Sequence, residues 1–309
     1  MKKIMIAIGC CFLLCLALPV SADPPACGTT FTGAFDNIWQ KNGNWDNNAP
    51  TIDTVACIPA DKSVEVDNSQ PVIYVAAKAL VIQKDQSTAG HVVLEERTTL
   101  TIRADSYFDG HFDPDPDADP SLLLLEDASL IIKDSLTIFG DGGDIGGKTT
   151  STSPEAMIRD DGETPTGVLT IVGVHNDDPA TSLVLRQKLV VSVELVNDAY
   201  VIADVEELQL TDKRKTGTGF WRAVSGGDLH VLTEVTGSGK WELLSSSFSA
   251  IIIDGDCPSL SGDVIVEKGI LDIRDTFITS GDLIFRSVGD PPSSPLISVT
   301  QDNLAQFGP

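Results

Sequence analysis

Ser261–Ile273, SGDVIVEKGILDI, is the stretch that decides the fold. Val264, Val266, Leu271 and Ile273 alternate with polar neighbours, and Lys268-Gly269 turns the chain between the two apolar pairs, so the stretch reads as two short strands on one side of a stacked coil. Similar brief apolar runs precede it. Leu169, Leu189, Leu208, Leu229, Ile251 and Leu271 follow one another at steps of 20, 19, 21, 22 and 20 residues. A unit of that size made of strands cannot bury its apolar face alone and must stack on its neighbours, which is the pattern of a β-solenoid. Leu80, Leu100 and Leu122, at steps of 20 and 22, extend the same coil length into the first half. No helical period of 3.6 runs long enough to compete, and nothing suggests a strand–helix alternation, which argues against a barrel or doubly wound enzyme.

The chain of 309 residues divides on composition. Residues 1–22 read as a secretory signal: Lys2 and Lys3, an apolar run from Ile4 to Leu18, then Val20-Ser21-Ala22 before a mature start near Asp23. No later segment is long and apolar enough to span a bilayer, so no integral membrane segment is expected once the signal is removed. Residues 23–63 are rich in Asn, Gly and Pro, with Trp39 and Trp45 as apolar plugs, and read as an N-terminal cap. Residues 64–290 hold the coils, on the order of ten, in a rod of about 50 Å at one strand layer per coil. Two polar stretches interrupt them as loop insertions near 105–120 (DGHFDPDPDADP from Asp109) and 140–167 (GDGGDIGGKTTSTSP from Gly140). Residues 291–309 form a C-terminal tail without an evident closing motif. In an oxidising compartment Cys27 and Cys57 clip the cap and leave Cys257 over, although three cysteines leave the pairing open.

Gly43-Asn44-Trp45, then Pro50, Asp53, Val55 and Ile58-Pro59, resemble an N-terminal motif of large secreted β-helical proteins of environmental bacteria. Gly237–Leu244, GSGKWELL, and the stretch from Ser261 to Ile273 are similar to autotransporter-passenger and pectin-lyase-like repeats. The resemblance implies an all-β, single-stranded, right-handed parallel β-helix, the hand agreeing with the general preference of parallel crossovers. It also implies a secreted or cell-surface bacterial protein. No membrane-barrel translocator follows, which departs from a complete autotransporter.

A formal charge of −24, from 45 acidic and 21 basic residues, repels nucleic acid and anionic membranes and excludes nucleic-acid binding. It favours divalent cations. Asp113, Asp115, Asp117 and Asp119 alternate with Pro and Ala, with Asp109 nearby, and such carboxylates are relieved of mutual repulsion by a calcium ion. The competing reading is a solvated, extended loop. Asp141 and Asp144 in the Gly-rich loop form a weaker pair of the same kind. Arg186 and Lys188, with Lys213-Arg214-Lys215 about one coil later, form a basic patch suited to an anionic glycan or to proton abstraction in a lyase. Their alternative is exposed turn charge. Trp221 and Trp241 are 20 residues apart, which places them on neighbouring coils. Outward they are a sugar platform, and inward they are core packing.

His91, His111, His175 and His230 lack the spacing of a zinc site, with His111 set apart by its place in the Asp-rich loop. No nucleophile elbow, phosphate loop or dinucleotide fingerprint is present. These features describe a secreted or cell-surface binding and structural rod of adhesin type that contacts polysaccharide or another cell-surface component. The second reading is a polysaccharide lyase or glycoside hydrolase.

Overall fold

The computed structural model describes residues 23–69, 74–111, 120–148, 156–163, 167–173, 179, 182–186, 188–204, 206–244, 249–286, 296–299 and 305–307. Every named sheet pairing among them is parallel, and the strands form three long faces of a β-helix. The first face has eight strands and continues, through a bridge between Lys215 and Val235, into four more. The second and third faces have ten strands each.

Ser261–Ile273 forms one corner of this helix. Val264–Val266 lies on the second face and Ile270–Ile273 on the third, so Lys268-Gly269 turns between faces. Gly269 has φ +98°, and a side chain there would meet the Ser249 carbonyl at 2.3 Å, which only glycine tolerates. Val264, Val266, Leu271 and Ile273 all point into the core.

Side chains stack in rows along the axis. On the second face Val201, Trp221, Trp241 and Val264 are successive partners, all buried. On the third, Leu208, Leu229, Ile251 and Leu271 do the same. Leu169, the first member of the sequence series, stands elsewhere: it stacks between Leu136 and Leu195 on the first face.

Spacing in the first half also differs from expectation. Leu80, Leu100 and Leu122 lie on the first, third and second faces, so steps of about 20 there do not measure a coil. True partners are farther apart: Val64 pairs with Val92 and Val92 with Leu122, 28 and 30 residues on. The strands from Ser63–Val66 to Leu122–Leu125 all hold to four residues, so the extra residues lie outside the strands.

The expected insertion at 140–167 is largely coil among its described residues, with 149–155 and 164–166 outside them. Leu136–Asp141, Asp144–Lys148 and Ala156–Asp160 are strands of the first, second and third faces. The glycines that suggested a loop mark close approach instead. A side chain at Gly143 would lie 2.1 Å from the Phe108 carbonyl oxygen, and one at Gly147 2.2 Å from that of Lys188.

At the N-terminal end Trp39, Trp45 and Phe31 pack edge to face, with Trp39 and Trp45 centroids 5.0 Å apart. Asn44 of the Gly-Asn-Trp motif is wholly buried and ties down the loop, accepting the Phe35 and Asp36 N–H groups on its side-chain oxygen. The coils begin inside the expected cap, since Val55–Ile58 and Ser63–Val66 already belong to the first and second faces. Cys27 and Cys57 form a disulfide and Cys257 is free and buried. Among the described residues no helix is long and apolar enough to cross a membrane.

Candidate functional site

The residues singled out from sequence do not assemble into one site. Trp221 and Trp241 are register partners on adjacent coils, as their spacing required, but both point inward, with ring centroids 5.8 Å apart and under 2 % exposure. They are core and offer no sugar platform. The outward ladder is one residue earlier, where Tyr200 and Phe220 stack at 4.5 Å with planes 4° apart. Arg222 and Lys240 lie over the Phe220 ring, and both rings are buried.

The five cations also separate. Arg186 is buried on the second face beside Asp144. Lys188 occupies a corner at φ +51° and pairs with Glu206 at 2.9 Å. Lys213 is 3.9 Å from Asp160, and Arg214 is 3.5 Å from Glu194. Lys215 is inside the helix, its ammonium donating to the carbonyls of Val193, Thr211 and Lys213. A shared basic patch is not formed by these residues, because the corner between residues 186 and 189 and the inward register of Lys215 send them to different surroundings.

Asp113, Asp115, Asp117 and Asp119 lie outside the described residues. Among the described residues no group of three or more His, Cys, Asp and Glu is arranged to hold a metal. Asp141 and Asp144 are each engaged by a different cation, Lys84 and Arg186.

What the structure does bring together is a corner between the first and second faces. Strands Ser106–Asp109 and Leu136–Asp141 are neighbours on the first face, and their register sets Asp109 beside Asp141. Lys84 reaches both groups of Asp141: its ammonium is 2.9 Å from Oδ2 and donates to the main-chain carbonyl at 2.6 Å. Asp109 is half-buried, and its Oδ1 has no hydrogen-bond partner among the described residues. Burial raises its pKa to about 6, with Lys84 pulling it down and Asp141 pushing it up. A carboxyl in that position holds its proton far better than a solvated one.

Across the corner His91, Ser121 and Asp144 fall in one row of the second face, each at the position before the paired residues Val92, Leu122 and Ile145. Asp144 accepts the Ser121 N–H at 2.7 Å and lies 3.1 Å from Arg186 Nε, with both ionisable side chains buried. Burial pushes the Asp144 carboxyl up, while Arg186 and Ser121 act in the opposite direction. This ion pair fixes the floor, because removing either partner would strand the other charge in a desolvated place.

A cleft of about 390 Å³ opens over that floor, lined by Lys62, Ser63, Ser87, Thr88, His91, His111, Ser121 and Asp144. His91 Nδ1 is 3.2 Å from the Pro120 carbonyl and His111 Nε2 is 3.0 Å from the Asp85 carbonyl. A carbonyl only accepts, so each of those nitrogens carries the hydrogen. The opposite nitrogens, Nε2 of His91 and Nδ1 of His111, are then acceptors when the rings are neutral. The cleft thus offers hydroxyl donors, an ammonium and imidazole acceptors on a rigid floor.

A larger open groove of about 940 Å³ near the C-terminal end is lined by Thr216, Thr236, Ser238, Ser259 and other uncharged residues. It contains no ionisable side chain and is the weaker candidate for chemistry.

Fold and corner together define a parallel β-helix with a polar cleft on one flank of its N-terminal half. In comparisons with protein-family models, with curated proteins and with solved structures, nothing matches this chain.

Proposed function

We propose that the protein is a secreted or cell-surface binding rod that takes carbohydrate in the cleft over Asp144. The observation that carries this reading is the grouping of Lys62, Ser63, His91, His111 and Ser121 around a fixed Asp144–Arg186 floor. Sugars present donors and acceptors in close alternation, and a rigid polar surface of mixed donors and acceptors matches them at little entropic cost. The net charge of −24 disfavours polyanions along the rod and so favours neutral or weakly charged glycans. The resemblance to secreted bacterial β-helical surface proteins points the same way.

One observation favours a second reading, a polysaccharide-cleaving enzyme. Burial raises the Asp109 carboxyl to about 6 beside the in-register Asp141, and a carboxyl that keeps its proton near neutral pH suits general acid work. Neither Lys213 nor Arg214, each paired with a carboxylate of its own, offers a free lyase base.

A panel of immobilised neutral and uronate-rich polysaccharides, with calcium and with chelator, tests both readings. Retention is expected on at least one glycan, weakened tenfold or more by His91→Ala and by His111→Ala and unchanged by Arg214→Ala; tenfold corresponds to about 1.4 kcal/mol. New reducing ends or unsaturated products would favour the enzyme. Retention unaffected by both histidine variants would defeat the cleft.

A further inference from the structure

The cleft and the larger groove lie on the same edge of the rod. Lys62, Ser87 and Thr88 of the cleft stand where the chain passes from the first face to the second, after Val55–Ile58 and after Ala79–Ile82. Ser238 and Ser261 of the groove stand at the same passage farther along, between Thr236–Gly237 and Lys240–Leu244 and between Cys257–Leu260 and Val264–Val266. Asp144, the last cleft residue, follows Leu136–Asp141, and Thr216, the first of the groove, lies in Lys215–Gly217. Those two strands are three places apart on the first face, about 14 Å at the spacing of paired strands.

The groove is built differently from the cleft. Its hydroxyls form two rows along the axis: Thr216, Thr236 and Ser259 in one, and Ser238, Ser261 and Ser280 in the other, each of these one residue past the stacked Gly237, Leu260 and Thr279. Among the described residues none of these six side chains has a hydrogen-bond partner. Thr218 at the adjoining corner, by contrast, donates to Asp198, and the buried Thr279 to the Gly262 carbonyl. No ionisable side chain lines the groove. A hydroxyl both donates and accepts, so two rows of them match the hydroxyls of an uncharged sugar chain and leave no charge to desolvate.

We propose that one neutral polysaccharide chain is held at two places on this edge at once, the cleft and the groove, so that the rod selects long polymers over short oligosaccharides. This rests on the glycan-binding reading of the cleft. Stacked coils hold the two sites at a fixed separation, so the second contact forms within one complex and multiplies affinity without further ordering of the protein. The groove alone is weak, because it offers only neutral hydrogen bonds on an open surface. Its contribution comes through a chain that the cleft has already caught.

Calorimetry with soluble glucomannan, xyloglucan and galactan, and with a trisaccharide cut from each, tests the proposal. The variant Thr216→Val/Thr236→Val/Ser259→Ala keeps the strand-forming shapes and removes three hydroxyls, and far-UV circular dichroism with the melting temperature checks that its coils remain. For at least one of the three glycans, the variant is expected to weaken polymer binding by about tenfold or more and to leave trisaccharide binding within about twofold of wild type. His91→Ala is expected to weaken both. Polymer binding that the groove variant leaves unchanged, while His91→Ala still weakens it, overturns the two-site arrangement and leaves the cleft standing. Binding of no probe, or binding indifferent to His91→Ala, defeats the glycan reading itself and this inference with it.

Discussion

Trp241→Ala is expected to lower folding stability by about 3–5 kcal/mol, the range for truncating a buried aromatic, and to leave glycan retention unchanged in the folded fraction. Trp241 sits between Trp221 at 5.8 Å and the edge of Phe277 at 5.8 Å, so its removal empties a position touching three coils. The rod transmits that loss in both directions, because each coil is stabilised by its neighbours. Chemical denaturation followed by tryptophan fluorescence measures it. Weaker glycan retention in a variant of nearly unchanged stability would return Trp241 to the surface and contradict the inward register.

Lys215→Met is the second large effect. Lys215 faces inward between Leu195 and Val235, where the eight-stranded part of the first face gives way to the four-stranded part. Its ammonium donates to three carbonyls, at 2.9 Å to Val193, 2.8 Å to Thr211 and 2.5 Å to Lys213. Methionine fills the volume but leaves those acceptors short of a donor, at a cost of about 1–3 kcal/mol for an orphaned buried group. Relief of the buried charge offsets part of this, and a net loss of about 1–2 kcal/mol is expected.

The same residue gives stability a pH dependence of definite sign. Burial pushes the Lys215 ammonium down to about 7, with Asp212 and Glu194 drawing it upward, from an ordinary 10.5. The folded value lies below the unfolded one, so between these limits the unfolded chain binds the extra proton. The penalty on the charged form is therefore fully present below about pH 7 and is relieved as pH rises toward 10.5. Wild type should gain stability relative to Lys215→Met between pH 7 and pH 9.5, measured as the difference in urea midpoints, in which other titrating groups cancel. Parallel curves for the two proteins would show that the carbonyls hold the ammonium charged throughout.

The sequence made the second half of the rod legible because its corners are short and of nearly constant length. Trp221 and Trp241 are 20 residues apart in sequence and partners in space. Which face they occupy was not legible: Phe220-Trp221 is apolar at both positions, and both are buried, one on each side of the sheet. Where both sides are covered, alternation of period two disappears.

The first half was harder for a different reason. His91, Ser121 and Asp144 belong to one row, yet they are 30 and 23 residues apart. Unequal corners hide such a row from any fixed period. His111 could be marked in advance by its place in the Asp-rich loop, whereas His91 carried no local signal at all. Lys215 was misleading because Lys213-Arg214-Lys215 has the composition of an exposed turn, and only its register with Leu195 turns the third of them inward.

Hydrogen–deuterium exchange, measured on the protein with and without the glycan it retains best, locates the site most directly. Slower exchange is expected at residues 60–63, 84–91, 109–111 and 141–144, which border the cleft and its corner. Protection confined to residues 213–241, or none on any part of the rod, would contradict the assignment of function to this corner.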